Sequence, residues 1–401
     1  MTGYRALRLR PQAARGHPGG EERLAETVVS IDIGAGTGAK MALYDGSGRE
    51  MAGSLLPAER YESTPDGFAD ALAARVPELT TRVTGDRPAV DGVGIACPGC
   101  TRSDGSLLCV NNLSFLEGAN LGRLLAERLG VPVISGNDAD AGAYAVWSRE
   151  QTELLYWVFG GGWGGAWIAS DGEVRFPSTD WDGRDGSLHF SNEPGYAIPL
   201  DKSLLKRRFE EHGISYARFE TLCAAGLPGG RGPLAGPEGR TDCLRAETAL
   251  SGPGRYRIFR AAAEGAGDHE RHLTPDERLE LRAPASSGKI IDKLGEQGED
   301  TAVRTDALFG ALLGEAARIL IAQAEKDGCP AGVPIFLAGK PSRAFPFFAS
   351  SLRRVMKNGG LTNELRVSSL EQEGVNANLL GAALLVLRYL RMSGPGAEAG
   401  E

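Results

Sequence analysis

The sequence has no unbroken run of 18 or more apolar residues, the length a bilayer-spanning helix needs, so a membrane is not an expected partner. Cysteine is sparse. Six residues (Cys97, Cys100, Cys109, Cys223, Cys243, Cys329) are scattered through 401, with no apolar signal segment before them, which predicts reduced and mostly buried thiols in a cytoplasm. Cys97 and Cys100 form a CxxC around Pro98 and Gly99, but there is no second such pair to complete a zinc site. Basic charge is in deficit. Against 52 acidic residues there are 44 Lys and Arg, and a net charge of -8 repels a phosphate backbone, so nucleic acid is not an expected partner either. A chain of 401 residues is long enough for two domains with full hydrophobic cores.

Glycine is abundant. Its 56 residues are about twice the usual share of roughly 7%, without a collagen-like period, which points to tight turns and close backbone approaches to a ligand. Residues 1–26 and 393–401 carry Gly, Pro and charge without apolar periodicity and are expected to be disordered tails. Between them, residues 27–150 read as one α/β domain and 151–375 as a second, with 376–392 a closing helix that packs back on the first. Thr27 to Ile33 is a β-branched strand that runs into Gly34, Gly36 and Gly38. A hairpin follows, with strands at Met41–Asp45 and Glu50–Leu55, whereas a Rossmann or Walker loop leads into a helix. Helices are predicted over Phe68–Leu79, Leu121–Leu129 and Ala139–Trp147, and strands over Val90–Ala96 and Val131–Ser135. A second strand, Leu154–Phe159, runs into Gly160, Gly161, Gly162, Gly164 and Gly165, so strand, glycine turn and strand occur twice. Residues 226–240 read as a Gly/Pro-rich loop, 256–330 as mostly helical, and Val333–Leu337 as a strand stopped at Gly339.

Successive glycines let backbone N–H groups converge on one anion, so two such turns are suited to a triphosphate. Asp32, beside the first turn, is placed to hold Mg2+ through water, and Lys40 adds positive charge there. Asp138 opens a helix; from the residues alone it is either a carboxylate aimed at substrate or a cap for the helix at Ala139.

The order of Asp32-Ile33-Gly34-Ala35-Gly36-Thr37, Gly94 to Gly99, Asn112-Leu113, Gly136 to Asp140, Gly160 to Gly165, Glu193 to Tyr196, Leu337 to Gly339 and Gly381 to Leu385 resembles the ROK family of sugar kinases and sugar-responsive repressors. The resemblance spans about residues 27–392. It implies an α/β fold of two ribonuclease-H-like (actin-like ATPase) domains with an interdomain cleft, ATP and Mg2+ as cofactors, and a small sugar or polyol as substrate. It further implies Asp138 as general base, Asn112, Asn137 and Glu193 as ligands of sugar hydroxyls, and Gly339 with Lys340 at the adenosine. Gly34, Gly36, Thr37, Gly161, Gly162 and Gly164 would then line the phosphates, Glu247 would stand where the family has another acidic sugar ligand, and a homodimer is one expected assembly. Tyr196 replaces the usual family histidine and the family's cysteine cluster is missing, so no zinc site is expected. His189, His212, His269 and His272 read as solvated or core residues. The reshaped, aromatic-rich pocket, with Trp181 or Tyr196 offered to a ring, favours an aminosugar, modified hexose or cyclitol over plain glucose. The rival expectation is a non-catalytic sugar or nucleotide sensor; the family's repressors carry an N-terminal winged helix-turn-helix that the first 26 residues do not resemble.

Overall fold

The structure, a computed structural model, describes residues 26–34, 38–57, 62–84, 90–101, 105–108, 110, 113–175, 193–225, 240–264, 270–271, 273–284 and 286–393. The tails at 1–25 and 394–401 and the loop at 226–239 lie outside them, as do Gly36, Thr37, Cys109, Asn112, Trp181, His189, His269 and His272.

Strands β1 (Thr27–Gly34), β2 (Gly38–Asp45) and β3 (Glu50–Leu56) form an antiparallel meander. After helix α1 (Pro65–Thr84), strand β4 (Gly92–Cys97) joins β1 in parallel. A small ribbon of β5 (Cys100–Thr101) and β6 (Leu107–Leu108), helix α2 (Leu121–Leu129), strand β7 (Val133–Asn137) and helix α3 (Asp138–Glu150) follow. The sheet order is β3-β2-β1-β4-β7. Strand β1 is covered on both faces, which is why it reads as a nearly continuous apolar run. Val29, Ile31 and Ile33 face Phe68, Leu72, Leu121 and Leu125 of α1 and α2. Val28 faces Leu379, Ala383, Val386 and Leu387 of the last helix. Side chains alternate along a strand, so Asp32 shares a face with Val28 and Ser30.

The second sheet repeats that plan. Strands β8 (Leu154–Phe159), β9 (Trp163–Ile168) and β10 (Val174–Arg175) come first, and β13 (Ile335–Ala338) and β14 (Leu365–Val367) later add parallel strands, in the order β10-β9-β8-β13-β14. The inserted chain carries α4 (Pro194–Ala197), β11 (Pro199–Asp201), α5 (Lys202–Glu211), α6 (Tyr216–Ala224), β12 (Cys243–Arg245), α7 (Gly252–Ala263), α8 (Pro275–Arg282), α9 (Ser287–Glu296) and α10 (Asp300–Lys326). Helix α10 is long and apolar enough to cross a bilayer by composition, yet 72% of its apolar window is buried, as befits a core helix. Helices α11 (Phe345–Asn358), α12 (Ser369–Gln372) and α13 (Ala377–Ser393) complete the chain. Two meanders, each extended by two parallel strands, make this an α/β fold of two ribonuclease-H-like halves.

Two compact units result, one of residues 1–154, 166–185 and 369–401, the other of 155–165 and 186–368. This differs from a division at residue 150, because residues 166–185 group with the first unit. Local packing explains it: Trp167 Nε1 donates to Glu153 Oε1 at 2.9 Å, and Gly172, at φ 79°, lies so close over Trp147 that a Cβ would stand 2.5 Å from the indole. Helix α13 joins the first unit through glycines. A Cβ on Gly381 would lie 1.8 Å from the Ala141 carbonyl oxygen, and one on Gly94 would lie 2.3 Å from that of Ala382. Both backbones approach only because these positions lack side chains.

Candidate functional site

In the first unit the parallel strands β1, β4 and β7 bring their carboxyl ends into one row, with Asp32 opposite Ala96 and Ala96 opposite Gly136. The carboxyl ends of strands are where open α/β sheets bind ligands. The chain leaves β7 through Asn137 and enters α3 at Asp138. Asn137, not Asp138, is the N-cap: its Oδ1 accepts from Ala139 N at 2.8 Å and Asp140 N at 3.2 Å, while its Nδ2 donates to Gly99 O at 2.9 Å. The Asn137 side chain is therefore largely committed to local structure, with one amide N–H left for a ligand. That capping frees Asp138 from the role of helix cap, though its Oδ1 also accepts from Ala139 N at 2.9 Å.

Asp138 is half-buried, and its pKa is pushed up to about 6, first by burial and second by the charge of Asp32. The backbone amides at the helix start act in the opposite sense without cancelling the rise. Below them, burial and the same two carboxylates drive the Cys97 thiol well above its usual range. A thiol held protonated is a poor metal ligand or redox nucleophile, so the CxxC pattern has no thiolate at Cys97 to offer.

Asp32 is 5% exposed and its carboxylate is held from three directions. Asn376 Nδ2 donates to Oδ2 at 2.9 Å, Asn378 Nδ2 to Oδ1 at 3.2 Å, and Lys40 Nζ lies 3.4 Å from Oδ2. Asn376 at the same time caps α13, accepting from Asn378 N at 3.0 Å and Leu379 N at 3.2 Å. Neither asparagine stands out in the sequence; the only available signal is the Asn-x-Asn spacing at a helix start, which reads as ordinary capping. A carboxylate offers about four lone-pair positions, so three donors leave room for one water. Asp32 thus fits a magnesium ion held through its hydration shell.

The second unit holds the other cluster. Gly160 N donates to Gly162 O at 2.8 Å, closing the turn after β8, and Cβ atoms on Gly160 or Gly161 would meet nothing within 4 Å. Trp163 turns away from this open backbone into the core, fully buried and stacked on Phe159 at 5.5 Å. Gly339, at φ 82°, ends β13 directly against Phe159 O, with the exposed Lys340 beyond it. Glu247 lies against the end of the turn after β8: its Oε2 is 3.4 Å from Trp163 N and would be 2.4 Å from a Cβ on Gly162. Glu193 precedes α4 and Tyr196 lies within it, and the helix's Gly195 is packed against Trp163 O and Glu247 Cβ. The guanidinium of Arg245 sits 3.4 Å over the Tyr196 ring and donates to Tyr196 O at 2.8 Å, so one ring face is already taken. Among the described residues no group of three or more His, Cys, Asp or Glu is arranged to hold a metal ion.

Each unit therefore assembles its own half of the expected residues: Asp32, Asn137 and Asp138 in one, and Gly160 to Gly165, Glu193, Tyr196, Glu247 and Gly339 in the other. A carboxylate of raised pKa on a strand-to-helix turn can take a proton from a hydroxyl, and open glycine backbone can receive an anion.

Comparison with known proteins finds the same fold. The ROK family model matches residues 28–176. No curated protein matches in sequence. Among solved structures, a ROK family glucokinase from Streptomyces griseus, determined with glucose and AMPPNP, has a TM-score of 0.60 at 19% identity, covering 90% of this chain and 98% of that one. A ROK hexokinase from Thermus thermophilus has a TM-score of 0.57 at 22% identity, covering 91% and 99%. A ROK family transcriptional regulator, homologous to the MLC protein of E. coli, has a TM-score of 0.65 at 18% identity, covering 92% and 81%. The chain thus carries a segment similar to the ROK family over residues 28–176, and it shares the fold of these solved structures over about nine-tenths of its length.

Proposed function

We propose that the protein phosphorylates a hydroxyl of a sugar or sugar-like polyol at the expense of ATP. The observation that carries this reading is Asp138, a carboxylate at the carboxyl end of the parallel strands whose pKa is raised to about 6. General-base catalysis needs a group that is ionised near neutrality yet basic enough to accept a proton, and this value suits both demands. Asp138 orients the acceptor hydroxyl and takes its proton as the oxygen attacks the terminal phosphorus. Asp32, fixed by Asn376 and Asn378, would hold Mg2+ through water, and that ion supplies charge neutralisation at the phosphates. Gly34, Gly36 and Thr37 in the first turn and Gly161, Gly162 and Gly164 in the second offer backbone amides to the β- and γ-phosphates, with Lys40 adding charge. Gly339 and Lys340 border the adenosine. Asn112, Glu193, Glu247 and the remaining amide N–H of Asn137 hold the acceptor, with Tyr196 against its ring. The acceptor is a hexose, an aminosugar or a cyclitol.

The test is ADP formation with magnesium and a panel of hexoses, aminosugars and cyclitols. Turnover with one acceptor class, lost by at least about a hundredfold in Asp138→Asn, is the expected result. An Asp138→Asn protein as active as the wild type removes the base from the mechanism. A second reading, a non-catalytic sugar or nucleotide sensor, is favoured by two observations: the regulator among the structural neighbours and the carboxylate lying against the second glycine turn. Nucleotide binding with no ADP formed from any acceptor identifies it.

A further inference from the structure

The second glycine turn is not vacant of charge. Glu247 Oε2 approaches Trp163 N at 3.4 Å, and the carboxylate is packed so closely on Gly162 that a Cβ there would stand 3.0 Å from Glu247 Cδ. The placement is built from several sides. Gly195 lets α4 pass against both Trp163 O and Glu247 Cβ, at 2.8 and 3.1 Å from a Cβ placed on it. From behind, Ser251 Oγ donates to Glu247 O at 2.9 Å while also capping α7 through Gly254 N. The same helix presents Arg257, 7% exposed, which donates to Thr248 O at 3.3 Å and whose buried charge attracts Glu247.

We propose that Glu247 is a resident anion of the second glycine turn, occupying in the unliganded protein the place of a nucleotide phosphate, so that it competes with ATP until an acceptor hydroxyl draws it away. This deepens the kinase reading above and rests on it. The logic is electrostatic: a carboxylate and a phosphate oxygen carry like charge, and the Trp163 N–H cannot serve both at once. A sugar or polyol whose hydroxyls donate to Glu247 removes the competitor and opens the turn. Acceptor binding thereby promotes nucleotide binding, and the carboxylate suppresses ATP hydrolysis when no acceptor is present.

The experiment measures binding of magnesium ADP and magnesium AMPPNP by calorimetry, without any sugar, to the wild type, Glu247→Gln and Glu247→Ala. Sugar-independent ADP formation from ATP is followed in parallel. The glutamine variant keeps the shape and removes the charge. Both variants are expected to bind AMPPNP about five- to tenfold more tightly than the wild type, a difference of roughly 1 to 1.4 kcal/mol, and to hydrolyse ATP faster without acceptor. If the wild type binds nucleotide and Glu247→Gln binds it no better, the competition is overturned while the kinase reading stands. If none of the three proteins binds either nucleotide, the kinase reading itself fails and this inference with it. Should the alanine variant not fold, the glutamine variant decides alone.

Discussion

Asp138 carries a charge that its surroundings resist, and both its chemistry and its cost to the fold follow from that. With the folded pKa near 6, kcat/KM is expected to rise with pH through about 6 and level off above it, as the base ionises; a pH–rate profile with no inflection between 5 and 7 contradicts the assignment. The stability effect has a defined sign. A carboxyl pKa raised from 3.8 means that the protonated form favours the folded state, so this stabilisation is complete below about pH 4 and is lost as pH rises through 6. Asp138→Asn is therefore expected to stabilise the magnesium-free protein at pH 7 by at most about 3 kcal/mol, since each pKa unit is worth about 1.4 kcal/mol and this side chain still meets solvent. Urea unfolding in EDTA should show the gain shrinking toward pH 5. Asp32 makes a different prediction. Asn378→Ala removes a 3.2 Å hydrogen bond to its carboxylate, a loss of about 1.5–3 kcal/mol for a charged acceptor, and should raise the magnesium concentration needed for half-maximal nucleotide binding. Unchanged magnesium dependence together with a lowered Tm would make Asn378 a purely structural residue.

At the scale of elements, the apolar pattern made most boundaries legible. Leu121–Leu129 and Leu154–Phe159 appear in the structure as the periodicity predicts, because one has an amphipathic stripe bounded by Asn120 and Gly130 and the other is a short fully buried run. Helix α1 extends to Pro65–Thr84 beyond the predicted Phe68–Leu79, since its exposed end turns carry no apolar signal. Strand β9 starts at Trp163, inside the run that its glycines mark as a turn, because the Trp163 indole belongs to the core. Helix contacts made through glycine were hidden, because a missing side chain leaves no hydrophobic trace. Gly381→Ala is expected to destabilise by about 1–3 kcal/mol or more, because backbone atoms of Ala141 cannot yield to a Cβ 1.8 Å from a carbonyl oxygen; thermal unfolding measures it. A Tm unchanged within a degree contradicts the packing of α13 on α3.

For the whole molecule, the path of the chain matters more than the list of its motifs. It passes between the two units four times, so neither is a contiguous segment, and the last 33 residues belong with the first 154. Ending the chain at Ser368 removes α13, uncovers Val28, Ala42 and Tyr44, and strips Asp32 of both asparagines. Such a truncation is expected to yield insoluble protein or, if soluble, one without a cooperative transition by circular dichroism. A folded truncate would show that α13 is dispensable.

Composition and periodicity by themselves determined that this is an α/β protein with a duplicated strand, glycine turn and strand, because burial on two sheet faces and φ-permissive turns both leave local marks in a sequence. The position of Asp138 at a helix start was equally local. What only the tertiary structure decided is what surrounds these groups: that Asn137 takes the capping role, that Asn376 and Asn378 reach back across more than 340 positions to Asp32, and that Glu247 lies on Gly162. Those relations depend on distance in space between residues remote in the chain. A carboxylate's ionisation, like a turn's vacancy, is set by neighbours that no local pattern names.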